Sequence, residues 1–233
     1  MDYYYTKKNT KQTFEENKSL KLKVCGMNKN TTEVAALTPD YLGFIFWKPS
    51  KRAFNGIMPN LPHSVKKVGV FVDAGVDEIK TMVDQYGLLM AQLHGKESPA
   101  FCQALKKAIP HLKIIKVFSI KDTFDFTELK PFEAVCDFYL FDTKGKLPGG
   151  NGYAFNWSLL KDYPSTKPYF LSGGIGLDEL ASIHKFTQRP ESKYCHAIDV
   201  NSKFETEPGL KNIEALKNFK KSLNDNSQLK TDS

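Results

Sequence analysis

The chain is 233 residues long and poor in cysteine, with Cys25, Cys102, Cys136 and Cys195 widely separated and in no C-x-x-C or C-x-x-H pair. That excludes a thiol-rich zinc site and a disulfide scaffold, so a reducing cytoplasm is the expected setting. Long apolar runs are missing too. No stretch approaches the roughly 18 uninterrupted apolar residues of a membrane span, and the opening MDYYYTKKNTKQTFEENKSL lacks the apolar centre of a secretion signal. Neither a membrane nor secretion by a standard signal is therefore expected. The formal charge of +7 contains no run of five like charges, and the lysines are interleaved with acids. This describes a solvated face, not a nucleic-acid surface, and the modest positive balance suits a small anionic substrate.

What the sequence does contain is alternation. Short apolar runs recur at 20–25, 41–46, 67–73, 88–94, 113–119, 138–143, 169–174 and 196–202, at roughly the spacing of a βα unit. Most gaps carry helical patterns. VDEIKTMVDQYG puts Ile79, Met82, Val83 and Tyr86 on one stripe, and SPAFCQALKKAI offers Ser98 as N-cap with proline at the first helical position. LDELASIHKF and NIEALKNFKKSL supply later helices, while the helical signal near Phe155 to Leu160 is weak. The pattern predicts a single-domain (β/α)8 barrel over residues 20–222, flanked by a polar leader (1–19) and a polar tail (223–233); an open doubly wound sheet is the structural alternative.

In such a barrel the chemistry sits at the C-terminal ends of the strands. Those ends hold Cys25; Lys48, Lys51 and Arg52; Gln92 and His94; Asp142; and Asp199, Asn201 and Ser202. Glycines cluster beside them in PGGNG (148–152) and SGGIG (172–176). A glycine-rich turn running into a helix near Leu177 exposes backbone N–H groups to an anion, which makes Gly173 and Gly174, with Asn201 and Ser202 as side-chain donors, a candidate phosphate site. Cys102, Cys136 and Cys195 read as small buried hydrophobes.

Taken in order, KVCGM, FIFWKPSKR, VGVFVD, AQLHG, LFDTKGKLPGGNG, LSGGI and IDVNS…ETEPGLKN resemble the phosphoribosylanthranilate isomerases of tryptophan biosynthesis over about residues 20–220. The resemblance implies an Amadori rearrangement of N-(5-phosphoribosyl)anthranilate to the 1-deoxyribulose phosphate without metal or cofactor, by a monomer or homodimer. It assigns Cys25 as general base, Asp142 as general acid, Arg52 to the anthranilate carboxylate, Gln92 and His94 to the wall of the site, and Asp199 to a carboxylate near the reacting sugar. Asn28 stands where the family usually has threonine, and Lys203 where it usually has the glycine of a phosphate loop. The alternatives are a different phosphate-binding barrel, such as an indole-glycerol-phosphate synthase, or a catalytically silent binding module. The former is disfavoured by the cysteine and aspartate at the strand ends.

The assigned roles set requirements. Asp142 must begin as the neutral acid, and Tyr139 and Phe141 are expected to wall it off from water. Cys25 must reach the thiolate, which a nearby cation would favour. Period-two alternation puts Lys23 on the face of Cys25, and Asp73 is the acid expected to pair with Lys23.

Overall fold

A computed structural model describes residues 20–143 and 154–225; the leader, PGGNG and the end of the tail lie outside these residues. Eight strands form the centre: β1 Lys21–Cys25, β2 Tyr41–Ile45, β3 Lys66–Phe71, β4 Met90–Leu93, β5 Lys113–Ile120, β6 Phe138–Thr143, β7 Tyr169–Leu171 and β8 Cys195–Val200. They are parallel in chain order, and β8 pairs with β1 to close the barrel. Closure removes both sheet edges and decides between the barrel and the open sheet.

Among the described residues five α-helices cover the outside: α1 Thr31–Ala36, α2 Val76–Tyr86, α3 Pro99–Ala108, α4 Leu180–Thr187 and α5 Ile213–Leu223. α2 turns Ile79 and Val83 into the shell and ends on a left-handed Gly87. α3 starts as its sequence dictates, with Ser98 accepting a hydrogen bond from the Phe101 N–H at 3.1 Å and proline next in line. Elsewhere the connections are thinner. The gap between β5 and β6 holds a 3-10 segment, Phe126–Phe132, with Pro131 inside it, where proline prevents the α-helical bond. Trp157–Asp162 is likewise 3-10, and a 3-10 turn at Leu177–Glu179 delays α4 to Leu180. Between β2 and β3 there is no helix, and residues 46–65 run as turns across the rim.

Strand alternation separates two cores. Tyr139 and Phe141 join the large cluster between barrel and outer layer, and the Tyr139 hydroxyl lies 2.6 Å from Glu133 Oε2 outside the barrel. Leu140 belongs to the inner cluster, and Asp142, two residues on, shares its face. Tyr139 and Phe141 are thus on the opposite side of the sheet from Asp142 and do not wall it off. A one-residue step reverses the face, which corrects the sequence expectation. The inner cluster is Tyr41, Val68, Met90, Ile115, Val117, Leu140, Phe170 and Ala197, a floor of apolar side chains beneath the polar strand ends. All four cysteines are buried and unbridged, and no described helix is long and apolar enough to cross a membrane.

Candidate active site

One pocket opens at the C-terminal rim, lined by Cys25 from β1, Arg52 from the β2–β3 connection, Gln92 and His94 at the end of β4, and Asp142 from β6. Gly173 and Gly174 after β7, and Asp199, Asn201, Ser202 and Lys203 from β8 and its exit, complete it, with Val70, Trp47 and Ser172 between. Every candidate side chain and glycine named as a base, acid, substrate contact or phosphate contact lies in this lining. Lys48 and Lys51, collected from the same strand exit as Arg52, are exposed and outside it.

On the side of β1 the thiol is buried, and Gly43 on the neighbouring strand makes room for it: a Cβ there would come 2.8 Å from Cys25 Sγ. Gly26 follows with φ +75°, and a side chain at that turn would meet Asn201 Oδ1 at 2.6 Å. Lys23 lies on the same face, fully buried, and its Nζ donates to Asp199 Oδ2 at 2.7 Å and to Gln92 Oε1 at 2.8 Å. The expected pairing with Asp73 does not form. β3 ends at Phe71, so Asp73 belongs to the following turn, where its Oδ1 accepts from the Lys96 N–H at 2.6 Å; Asp199 is the register partner of Lys23 across β1 and β8.

The buried Lys23 ammonium is held above its ordinary range: burial opposes its charge, but the Asp199 carboxylate and the Cys25 thiol outweigh burial. Burial pushes the Cys25 thiol up. Lys23 and Lys211 pull it the other way, while Asp199 adds to the rise.

The acid side is connected to this pair. The amide of Gln92, whose oxygen receives Lys23, must present its NH2 group to His94 Nδ1, 3.3 Å away. Nδ1 is then the acceptor, so the imidazole proton sits on Nε2. Nε2 faces Asp142 Oδ2 at 3.4 Å, without the alignment of a hydrogen bond. A polar chain Asp199–Lys23–Gln92–His94–Asp142 therefore spans the rim from β8 to β6. Asp199 Oδ1 is buried and has no hydrogen-bond partner among the described residues. A buried carboxylate oxygen left open in a pocket is an acceptor awaiting a donor.

At the other end of the pocket, Gly173 has φ +97° and fits against β6, where a Cβ would lie 2.6 Å from the Thr143 nitrogen. Gly174 is also left-handed. Gly176 is different, because its N–H donates to Glu179 Oε2 at 2.6 Å and is committed within the turn. Asn201 Oδ1 accepts from Lys211 Nζ at 2.8 Å, leaving its NH2 group as the donor. Lys203 is exposed and carries no ion pair among the described residues.

Two residues were not singled out from the sequence. Glu205 and Lys211 lie in the hairpin of β9 Glu205–Glu207 and β10 Leu210–Lys211, within the quoted ETEPGLKN stretch. Arg52 Nε donates to both Glu205 oxygens at 2.9 and 2.8 Å, its Nη2 lies 2.7 Å from Oε2, and Lys211 Nζ lies 2.8 Å from Oε1. Burial would raise the Glu205 carboxyl, but Arg52 and Lys211 hold it below its usual range. The signal available in sequence was two opposite charges six residues apart across a PG turn. It named no partner.

Comparison with known proteins identifies the chain's family. The family model described as N-(5'phosphoribosyl)anthranilate (PRA) isomerase matches residues 22–222. The N-(5'-phosphoribosyl)anthranilate isomerase of Parabacteroides distasonis is 42% identical over 207 residues, covering 85% of this chain and 90% of its own. Among solved structures, the phosphoribosyl anthranilate isomerase of Thermotoga maritima is similar at 26% identity and a TM-score of 0.73, covering 88% of this chain and 98% of that one. A second isomerase structure, in complex with reduced 1-(o-carboxyphenylamino)-1-deoxyribulose 5-phosphate, has 25% identity and a TM-score of 0.70 over the same shares. With a family model spanning most of the chain and a relative above 40% identity, the chain belongs to the N-(5'-phosphoribosyl)anthranilate isomerase family.

Proposed function

We propose that Cys25 and Asp142 are the base and the acid with which this isomerase of tryptophan biosynthesis rearranges N-(5-phosphoribosyl)anthranilate. The observation that carries the assignment is their placement: a thiol from β1 and a carboxyl from β6 line one pocket, each buried and each at a strand end. Asp142 gives its proton to the furanose ring oxygen, and the ring opens to a Schiff base. Cys25, as thiolate, removes the proton from sugar C2, and the resulting enolamine tautomerises to the ketone. One acid and one base held in place suffice for this sequence.

The remaining residues position the substrate. Arg52 offers a guanidinium edge to the anthranilate carboxylate, for which a fork of two parallel donors is the matching geometry. Gly173 and Gly174 present backbone N–H groups to the phosphate, with Asn201 and Ser202 as side-chain donors. Lys203, in place of a loop glycine, brings its ammonium to the same anion. Asp199 Oδ1, buried and without a hydrogen-bond partner among the described residues, accepts a sugar hydroxyl; Gln92 and His94 shape the wall between base and acid. We place the reaction in the cytoplasm, in a monomer or homodimer.

The test is the fluorescence loss of freshly prepared phosphoribosylanthranilate on addition of the purified protein. Turnover is expected from the wild type and strong loss from Asp142→Asn; full activity in that variant would remove Asp142 from the acid role while leaving the reaction itself in place.

A further inference from the structure

Arg52 stands on a 20-residue connection that contains no helix, and a long cation on such a segment would ordinarily lose much rotamer freedom on binding an anion. Here that freedom is already removed. Glu205 takes Nε and one side of Nη2, all at 2.7 to 2.9 Å, which occupies one edge of the guanidinium and leaves the other edge for a second carboxylate. Glu205 is itself fixed by Lys211 Nζ at 2.8 Å and by the Gly209 N–H at 3.2 Å. Lys211, its side chain wholly buried, also reaches Asn201 Oδ1 at 2.8 Å, tying the hairpin to the exit of β8.

The charges do not cancel. Two cations share one carboxylate, which leaves one positive charge at the rim when Lys211 is protonated, whereas the neighbouring Lys23–Asp199 pair is balanced. Burial holds the Lys211 ammonium below its ordinary range, although Glu205 and Cys25 oppose that. A partly buried excess charge is costly alone and is relieved by an anion of one negative charge.

We propose that Glu205 and Lys211 are positioning residues that hold Arg52 in a partly buried group of net single positive charge, so that the free edge of its guanidinium is set for the ring carboxylate. The inference rests on the reading of Arg52 as the carboxylate contact. Neither Glu205 nor Lys211 needs to touch substrate; both act through Arg52.

The experiment compares two inhibitors by calorimetry: reduced 1-(o-carboxyphenylamino)-1-deoxyribulose 5-phosphate and its phenylamino counterpart without the carboxylate. In the wild type the first should bind at least about tenfold more tightly, as a charged hydrogen-bond pair implies. Glu205→Asp, which keeps the net charge and retracts the carboxylate by one methylene, and Lys211→Met, which removes the excess charge, should each reduce that ratio to about threefold or less; because Lys211 also holds Asn201, the ratio and not either affinity alone is read. Equal weakening of both inhibitors, or an unchanged ratio, would show a purely structural network and overturn the proposal. Arg52→Met separates the two readings: a ratio unaffected there removes Arg52 from the carboxylate, whereas a ratio lost in Arg52→Met and kept in the other two variants defeats only the positioning role. If Lys211→Met fails to fold, Lys211→Gln removes the same charge while keeping a donor for Glu205 and should still lower the ratio; a ratio kept in Lys211→Gln also overturns the proposal.

Discussion

The floor and the rim of this barrel are made by the same strands and differ in almost everything else. Leu140 and Asp142 are two residues apart on β6, Tyr41 and Gly43 on β2, Ala197 and Asp199 on β8. The lower member of each pair packs in an apolar cluster, while the upper one meets an ion pair, a thiol or the pocket. The floor can be filled by shape alone. At the rim each polar group must find a partner, because a buried charge without one is strongly destabilising. Stability and chemistry are therefore separated by about one pleat along each strand.

Substitutions at the two levels should separate those properties, beginning with the largest effect. Cys25→Ala should reduce kcat by about 10²- to 10⁴-fold, the usual contribution of a positioned base, with a urea midpoint close to wild type. A loss of stability as large as the loss of rate would show that the thiol is a packing group. Lys23→Met crosses the boundary, since it leaves the Asp199 carboxylate buried without its cation. A cost of about 3–5 kcal/mol in urea unfolding is expected, together with reduced turnover. Leu140→Ala works only on the floor and should cost about 2–5 kcal/mol. The folded variant should keep kcat/KM within about threefold at low temperature, and a larger change would mean that floor packing sets rim geometry.

The pH dependence gives a subtler comparison. Burial raises the Cys25 thiol, with Lys23 and Lys211 opposing and Asp199 assisting that rise. With Cys25 acting as thiolate and Asp142 as the neutral acid, the working pair holds one proton, so kcat/KM should fall with rising pH through a titration displaced to the alkaline side of an ordinary thiol at about 8.5, where that last proton is lost. Removing one opposing cation in Lys211→Met should move that limb higher still. A profile flat from neutrality upward would refute the base assignment or its electrostatics. The smallest effect is expected at the exposed Lys203, where Lys203→Met should raise KM several-fold, more at low than at high salt, and leave kcat unchanged. Insensitivity of KM to both the variant and salt would place its ammonium away from the phosphate.

How much of this could be read before the fold was known depended on the range of each interaction. The strand ends were legible because apolar runs stop where Cys25, Gln92, Asp142 and Asp199 begin, and because Ser98-Pro99 marks the start of a helix. The wall over Asp142 was misjudged by one residue of alternation. The partner of Lys23 was misjudged because Asp73 and Asp199 are both acids near strand ends in sequence, and only barrel closure makes β8 the neighbour of β1. The grip on Arg52 was illegible, since 153 residues separate it from Glu205.

By itself, then, the sequence determined the strand order, the residues that end each strand and, through their resemblance to a known family, the reaction. Periodicity and turn chemistry act over a few residues, so they are written locally. Only the tertiary structure decided which charges meet. That outcome follows from closure of the barrel and from the hairpin after β8, which bring Lys23 to Asp199 and Arg52 to Glu205 in a medium where a charge cannot remain without a partner.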